Sequence, residues 1–287
     1  MQKKFLCPSC ESSSVGIVDS LPTKILDLEE SKYRVLKCNC GLRYLWPRVE
    51  NEQLTELYNI DYFSGESADT TPDDYGNTVK TRHKKFKSCI ERLKFHLSST
   101  KHDISSTNFL DIGAGTGDMV FLAKSAGLNA DGLEFSAFAR GKALENFEIN
   151  LSSKDISEIE KDQYHIIHTN HVFEHFNHPL KELKYIYNGL KKEGLLYIEI
   201  PMQFHIIEKF KYLFGNDRMS YNLHSIHHPF FYTEKSLCDI LLKCGFVVIE
   251  SKSLTRTDNG SKLKSIFWRI AGMFGLGNII EVYAKKM

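Results

Sequence analysis

The densest group of side chains able to do chemistry lies in residues 164–179, YHIIHTNHVFEHFNHP, which contain five histidines. Within it, His171, Glu174 and His175 have the H-x-x-E-H spacing with which some zinc proteases bind their metal. Histidine also changes its charge near neutral pH, so the same residues are suited to take a proton from a substrate. Their role depends on the elements that carry them.

Four of the seven cysteines form two close pairs near the N-terminus, Cys7-Pro-Ser-Cys10 and Cys38-Asn-Cys40. In a reducing compartment, such pairs are more typical of metal ligands than of disulfides. The pattern predicts a zinc ribbon in residues 1–50, in which the four thiolates surround a structural Zn²⁺. Surface cysteines without a metal are the alternative, because the second pair is C-x-C where C-x-x-C is usual.

The sequence FLDIGAGTGDM joins an apolar strand candidate to a helix candidate. Its glycines, Gly113, Gly115 and Gly117, let the backbone turn sharply and let a ligand approach the main chain. The helix that follows points its first N–H groups at the same place. An acid, Glu134, stands 23 residues after Asp111, at the end of the next strand candidate, where it can hold two ribose hydroxyls. We therefore expect a ribose-containing ligand here, with a tight turn that binds nothing as the alternative.

From residue 108 onward, strand and helix candidates alternate, which predicts an α/β fold whose parallel sheet is covered on both faces. A long segment joins the last two strand candidates, so these two can pair antiparallel. The strand candidates are 108–112, 130–134, 165–169, 195–200, 246–251 and 279–284, and the helix candidates are 117–126, 136–146, 179–190 and 234–244.

The chain of 287 residues is long enough for one full domain and an appendage. We expect a ribbon module at 1–50, a helical connection and substrate-side cap at 51–107, and an α/β domain at 108–287. An insertion at 202–229 is suited to cover the site. The formal net charge of +1 gives no global electrostatic reason to expect nucleic acid as a partner. Neither a signal peptide nor a membrane-spanning apolar run is visible, so we expect a cytoplasmic protein.

Two further helical stretches carry basic residues. We interpret the basic side of 78–97 as a solvated helix face, and a patch that attracts a phosphorylated substrate is the alternative. The amphipathic segment 262–276, KLKSIFWRIAGMFGL, is expected to cover the sheet or the substrate pocket. Peripheral contact with a membrane is the less favoured interpretation of this segment.

The segment LDIGAGTGDM, followed by GLEFS, resembles the class I S-adenosylmethionine (SAM)-dependent methyltransferases, and the order of elements extends the resemblance over residues 108–287. It implies a doubly wound, mostly parallel sheet of seven strands. It also implies that the glycine loop holds the methionine end of SAM, that the acid binds the ribose and that the next loop meets the adenine. The implied SAM-binding residues are Asp111, Gly113, Ala114, Gly115, Gly117, Glu134, Phe135, Asp155 and Ile156, with Asn170 and His171 at the end of the fourth strand.

The stretch HVFEHFNHPLKELKYIYNGLKKEGLLYIEIP resembles a large subgroup of these enzymes. Pro179 suits the first turn of a helix, so residues 171–178 should form a loop between strand and helix. A zinc protease of this kind needs both histidines on one continuous helix, which excludes that function. His171 and His175 remain site candidates, and we favour their direct acid–base use over a metal site that also includes Glu174.

Two other stretches, HSIHHPFFYT and DYFSGES, resemble segments of sugar methyltransferases that carry an N-terminal zinc ribbon and serve antibiotic or polysaccharide pathways. His228 matches a histidine of the first segment, and Tyr62 matches the substrate-side tyrosine of the second. The larger C-methylating relatives have a long additional C-terminal domain, so we expect an oxygen or nitrogen acceptor here. The expected substrate is a sugar or glycan intermediate, nucleotide- or lipid-linked, with His175 or His228 as general base and Tyr62 orienting the substrate.

Two other functions are considered beside this one. An RNA methyltransferase would use the ribbon to bind RNA, and the basic residues within 80–94 are compatible with contacts to its phosphates. A non-catalytic SAM-binding protein would use the ribbon to dock a partner. The intact glycine loop and the two histidine-rich stretches, 164–179 and 224–228, argue against a non-catalytic protein.

Overall fold

The computed structural model describes residues 6–13, 15–17, 34–47, 79–98, 106–202, 228–254 and 277–287, which form two β-sheets and five α-helices. The strands are β1 (Val15–Ile17), β2 (Arg34–Cys38), β3 (Arg43–Trp46), β4 (Asn108–Ile112), β5 (Asn129–Leu133), β6 (Tyr164–Asn170), β7 (Leu190–Pro201), β8 (Phe230–Phe231), β9 (Phe246–Leu254) and β10 (Ile279–Lys286). The helices are α1 (Val79–Ser98), α2 (Asp118–Ser125), α3 (Ala137–Phe147), α4 (Pro179–Gly189) and α5 (Glu234–Lys243).

The larger sheet has the strand order β5-β4-β6-β7-β10-β9. Strands β5, β4, β6 and β7 pair in parallel, whereas β10 runs antiparallel to both β7 and β9. Strand β6 is buried along nearly its whole length, as expected for a strand covered on both faces. The predicted α/β fold, with a mostly parallel sheet and antiparallel last strands, is confirmed.

The predicted seventh strand is not confirmed, because the described residues form a sheet of six strands. Beside β5, a single parallel bridge between Leu133 and Ser152 stands where the seventh strand would lie. The chain then leaves the sheet at once, since the Ser152 side chain accepts the N–H of Lys154 and Asp155 caps a short 3₁₀ turn. Local side-chain hydrogen bonds of this kind compete with strand pairing.

Local signals explain where three of the helices begin. The side chain of Ser136 caps α3, and Thr233 and Ser236 form a reciprocal capping box at α5. Pro179 occupies the first turn of α4, where its missing N–H is not needed. All three helices begin within one residue of their predicted starts.

Helix α1 packs against the sheet through an apolar stripe. Phe86, Ile90, Leu93 and Leu97 are buried and recur every three or four residues, which places them on one face of the helix. Burial of such a side chain contributes about 1.5–3 kcal/mol, so the stripe fixes α1 across the sheet. Helices α2 and α3 share this face, whereas α4, α5 and the smaller sheet cover the opposite face.

The smaller sheet joins the N-terminal residues to the α/β domain. Its order is β1-β2-β3-β8, all antiparallel, and β8 comes from the residues that follow the predicted insertion. Tyr44 pairs with Phe230 in register, and the Leu45 N–H donates to the Pro229 carbonyl at 2.9 Å. Leu42 and Tyr44 belong to the same apolar core as α4 and α5. The N-terminal strands therefore pack as part of the larger domain.

Several predicted features lie outside the described residues. These are Tyr62, most of the insertion 202–229, the amphipathic segment 262–276 and most of the connection 51–107 apart from α1. Among the residues that are described, no helix has the length and apolar character needed to cross a membrane.

Candidate active site

The glycine loop between β4 and α2 has three glycines with positive φ, at 70° for Gly113, 52° for Gly115 and 83° for Gly117. A Cβ on Gly113 would lie 2.3 Å from Val172 Cγ2, and one on Gly117 would lie 2.8 Å from Ala143 Cβ. A Cβ on Gly115 would meet nothing within 4 Å among the residues that the structure describes. Two glycines therefore permit close packing, whereas Gly115 faces open space.

Glu134 is held beside this open space. Its Oε2 accepts the Gly115 N–H and its Oε1 accepts the Ser136 N–H, both at 2.8 Å. Burial raises the pKa of Glu134 above its usual range, although these backbone N–H groups oppose the shift. Each carboxylate oxygen can still accept a further hydrogen bond, so the group is compatible with two ribose hydroxyls. The ring of Phe135, which follows, is 69% exposed.

The two predicted aspartates make other contacts. Asp111 is buried, and its Oδ1 lies 2.6 Å from His168 Nδ1. The His168 ring stacks on Tyr197, with ring centroids 4.9 Å apart. Asp155 is exposed and caps the 3₁₀ turn Ile156–Glu158, where it accepts the Ser157 N–H at 2.8 Å. Asp111 thus anchors the base of the glycine loop, and Asp155 shapes the turn that carries buried Ile156.

A buried charge pair, missed by the sequence analysis, lies at the ends of β6 and β7. Lys85 of α1 donates to Asn170 Oδ1 at 2.7 Å and forms an ion pair with Glu199. Glu199 is fully buried and also accepts the Tyr197 hydroxyl at 2.8 Å. The acid within the apolar strand LLYIEIP was a signal, because a buried carboxylate requires partners. Its cation comes from a distant helix.

A second set of contacts ties α1 to the start of α2. Asp118 is buried, with Arg82 Nη2 at 2.9 Å, His83 Nε2 at 2.8 Å and Thr116 Oγ1 at 2.6 Å. Burial opposes its ionisation, but the Thr116 hydrogen bond and the Arg82 charge hold the pKa of Asp118 below its usual range. The prediction that the basic side of this helix is solvated is therefore wrong for Arg82, Lys85 and Lys94, whose side chains are only 22%, 22% and 18% exposed.

The loop after β6 brings the predicted histidines to one acid. His171 has φ 55°, a strained conformation for a residue other than glycine, and its N–H donates to the Glu199 carbonyl at 2.8 Å. Glu174 lies in the 3₁₀ turn Phe173–His175 and is 1% exposed. Its Oε1 lies 3.6 Å from His171 Nδ1 and 3.9 Å from His175 Nε2. The predicted loop between strand and helix is confirmed.

His228, near the C-terminal end of the predicted insertion, completes this group. Its ring centroid lies 4.7 Å from that of His175, at an angle of 62°. Burial lowers the pKa of His171, but the carboxylates of Glu174 and Glu199 outweigh it and raise that pKa to about 9. We call His171, Glu174, His175 and His228 the histidine cluster.

The other three histidines of the run lie outside the histidine cluster. His165 Nδ1 lies 2.9 Å from the Asn108 N–H, and His168 contacts Asp111 as described. His178 is exposed at the start of α4, and its side chain makes no capping hydrogen bond there. These three histidines are therefore not brought into the histidine cluster.

The four N-terminal cysteines converge on one point. All four Sγ atoms lie within 4.8 Å of one another, with 3.7 Å between Cys7 and Cys40 and 3.4 Å between Cys10 and Cys38. Zinc–sulfur bonds of about 2.3 Å in a tetrahedron place the sulfurs about 3.8 Å apart, so these residues fit a zinc ion. Gly41 has φ 95°, which forms the tight turn after Cys40. Burial raises the pKa of the Cys40 thiol to about 11.

Comparisons with known proteins agree with this geometry. A family model described as "Methyltransferase domain" matches residues 80–251, more than half of the chain. A SAM-dependent methyltransferase from Archaeoglobus fulgidus is 17% identical with a TM-score of 0.50, and the match covers 73% of this chain and 98% of that one. The plantazolicin methyltransferase BamL, in complex with a triazolic desmethylPZN analog and SAH, is 15% identical with a TM-score of 0.51, covering 82% of this chain and 97% of that one.

At such low identity, these solved structures show the shared fold alone. Among curated proteins, none matches the chain significantly. The family match, which includes the glycine loop and Glu134, determines the assignment. The chain belongs to the methyltransferase-domain family and is a SAM-dependent methyltransferase.

Proposed function

We propose that this enzyme methylates a hydroxyl, or an amine, of a sugar or sugar-linked intermediate, and that the histidine cluster removes the acceptor's proton. One observation carries the proposal. The loop that bears the cluster packs directly on the glycine loop, where Val172 occupies the space beside Gly113. A substrate that contacts His175 and His228 would therefore lie close to SAM bound at Gly115.

We assign SAM binding to the residues around the glycine loop. Gly115 and its neighbour Ala114 border the open space, and Glu134 is positioned to accept hydrogen bonds from the ribose. Phe135 and Ile156 are assigned to the adenine side. Asn170 and His171 line the end of β6, and Asp111, Gly113, Gly117 and Asp155 shape the loops. When bound, SAM supplies an electrophilic methyl group on a sulfonium.

The chain's own contribution is to position the acceptor and to handle its proton. Holding the two reactants in line lowers the activation barrier to such a displacement by a large part. A hydroxyl must lose its proton as it attacks, and removal by a positioned group contributes about 10²–10⁴-fold in rate. His175 and His228 are half-buried beside the Glu174 carboxylate, which stabilises positive charge on either ring. Tyr62 is assigned to orienting the substrate.

A structural zinc ion bound by Cys7, Cys10, Cys38 and Cys40 is part of the proposal. Support comes from the sulfur separations, which match tetrahedral zinc. Such an ion would stabilise the hairpin of β2 and β3, and β3 in turn pairs with β8 directly after His228. In this proposal the ribbon fixes one wall of the acceptor site.

The sugar class rests on the sequence resemblance of the segments that contain Tyr62 and His228. RNA is the second candidate acceptor, suggested by the basic side of α1. That side is partly neutralised, because Arg82, Lys85 and Arg92 pair with acids of the α/β domain. The structure therefore offers RNA less positive charge than the sequence suggested, and we favour the sugar.

The test is methyl transfer by the purified full-length protein from labelled SAM to two panels, one of nucleotide-linked and free sugars and one of RNA. On the accepted sugar, His175→Ala and His228→Ala should each lower turnover by about 10²–10⁴-fold. His178→Ala is the matched control, since it removes an exposed histidine of the same loop and should stay within about twofold. Full turnover in both cluster variants would contradict the histidine assignment. Transfer to RNA alone, with steep salt dependence, would contradict the sugar.

A further inference from the structure

Three side chains of the histidine cluster have the arrangement of a metal site. One ligand atom each from Glu174, His175 and His228 lies within 4.8 Å of the others. Glu174 and His175 lie in the 3₁₀ turn after β6, and His228 directly precedes Pro229. The Pro229 carbonyl accepts the Leu45 N–H, which fixes the backbone beside His228. Backbone structure outside the cluster therefore holds both halves of the set.

The carboxylate of Glu174 provides an independent observation. It is 1% exposed, and neither oxygen has a hydrogen-bond partner among the residues that the structure describes. The nearest ring nitrogens, at 3.6 Å in His171 and 3.9 Å in His175, lie beyond hydrogen-bond length. Buried carboxylates are normally hydrogen-bonded, paired with a charge or bound to a metal. A cation between the rings and the carboxylate would satisfy this group.

We propose that Glu174, His175 and His228 bind a divalent transition-metal ion, distinct from the ion assigned to the four cysteines. Two imidazoles and one carboxylate suit Zn²⁺ and the neighbouring first-row metals, and three protein ligands leave open positions for a substrate. Four thiolates fill a tetrahedron and leave none. The second site thus has the composition of a catalytic metal centre.

This inference rests on the proposed function for its role in the reaction. An acceptor hydroxyl on an open position of the ion would ionise more readily, as water does on zinc. Its proton passes to solvent, the oxygen forms the new bond to the methyl carbon, and the electrons of the broken S–CH₃ bond remain on sulfur. This refines the role that the proposed function gives to His175 and His228: as metal ligands they promote loss of the acceptor's proton through the ion.

The experiment counts metal ions in the absence of SAM and acceptor, so it does not depend on finding the substrate. Full-length protein is stripped with a chelator, reloaded with Zn²⁺, freed of excess ion and analysed by elemental mass spectrometry. Glu174→Gln and His228→Asn should each hold one zinc ion fewer than the wild type. His178→Ala, an exposed histidine on the same loop, should hold the wild-type number.

A thermal unfolding measurement distinguishes a variant that has lost a zinc ligand from one that has misfolded. In metal-free protein, Glu174→Gln should unfold in a single cooperative transition, as the wild type does, because the amide has the same shape as the carboxylate. Added Zn²⁺ should raise the melting temperature of the wild type by more than that of Glu174→Gln, because only the wild type keeps this site. An equal zinc count in wild type, Glu174→Gln and His228→Asn would overturn the metal site.

The two proposals fail in different ways. Sugar methylation by a protein whose zinc count is unchanged in Glu174→Gln would retain the proposed function and overturn the metal site. A zinc count that falls by one in both ligand variants, with no sugar methylated, would retain the metal site and overturn the proposed acceptor. Substitution with Co²⁺ adds a spectroscopic check, since a nitrogen and oxygen site lacks the intense sulfur-to-cobalt absorption of a four-thiolate site.

Discussion

The different surroundings of Gly113 and Gly115 predict that substitution by alanine destabilises the fold more at Gly113 than at Gly115. Alanine at either position must adopt a left-handed conformation, which costs about 1–2 kcal/mol. At Gly113 the new Cβ would also lie 2.3 Å from Val172 Cγ2, and such overpacking adds about 1–3 kcal/mol. Gly113→Ala should therefore destabilise the fold by about 2–5 kcal/mol, and Gly115→Ala by only about 1–2 kcal/mol.

Thermal unfolding with and without S-adenosylhomocysteine separates stability from binding. An unfolding entropy of about 2.1 cal/mol/K per residue over 287 residues makes 1 kcal/mol equal to about 1.7 °C. Gly113→Ala should then lower the melting temperature by about 3–8 °C and Gly115→Ala by about 2–3 °C. Ligand at about 100 times its dissociation constant adds about 2.7 kcal/mol, or about 4–5 °C.

Gly115→Arg tests whether the open space beside Gly115 is the SAM site. The Cβ of the new arginine would lie more than 4 Å from the other described residues, so the variant should fold. Its long side chain would fill the open space, so the variant should lose the stabilisation of about 4–5 °C by ligand. Gly113→Ala should keep that stabilisation, although it melts lower. Equal destabilisation by the two alanines would refute the contact with Val172, and full ligand stabilisation of Gly115→Arg would refute the location of SAM.

Three other predictions concern the pairs that hold the site together. Lys85→Met should lower the free energy of unfolding by about 2–4 kcal/mol, measured in denaturant, because buried Glu199 loses its lysine partner, although His171 stays at 3.4 Å. Arg92→Met should cost less than about 1 kcal/mol at pH 7, since Arg92 is 46% exposed. Burial opposes ionisation of Glu250, but the Arg92 hydrogen bond holds its pKa below the usual range. The Arg92 contribution should therefore be lost as the pH falls through that lowered pKa, in unfolding curves from pH 7 to 3. Cys40→Ser should lower kcat far more than it weakens S-adenosylhomocysteine binding, because β3 pairs with β8 close to His228, whereas SAM binding is assigned to the glycine loop.

Most of the fold was predictable because it depends on local signals. The glycine loop, the proline at the start of α4 and the apolar stripe of α1 each lie within a short stretch of sequence. These patterns placed the parallel strands, the helices on both faces and the loop that carries His171 and His175. The predicted seventh strand is not confirmed among the described residues, because Ser152 and Asp155 bind the backbone of the next residues and the pairing stops after one bridge.

The contacts that the sequence did not reveal join distant segments. Lys85 and Glu199 are 114 residues apart, and either one alone resembles an ordinary helix-face lysine or a misplaced strand acid. The two-residue strand β8 has no periodicity to detect, yet it joins the N-terminal strands to the rest of the protein. A four-cysteine module was predictable from spacing, whereas its attachment beside His228 depends on tertiary packing.

That attachment gives the four cysteines and the histidine cluster a physical connection. Cys38 and Cys40 lie at the turn of the hairpin formed by β2 and β3, and β3 pairs with β8 and contacts Pro229, so the position of His228 depends on the order of this hairpin. Glu174 and His175, by contrast, are fixed by β6 and the glycine loop. A change in the ribbon would thus move His228 away from the two cluster residues without disturbing Glu134 or Gly115. In the proposed function, the N-terminal strands therefore belong to the acceptor half of the active site, and acceptor chemistry is separate from cofactor binding within one domain.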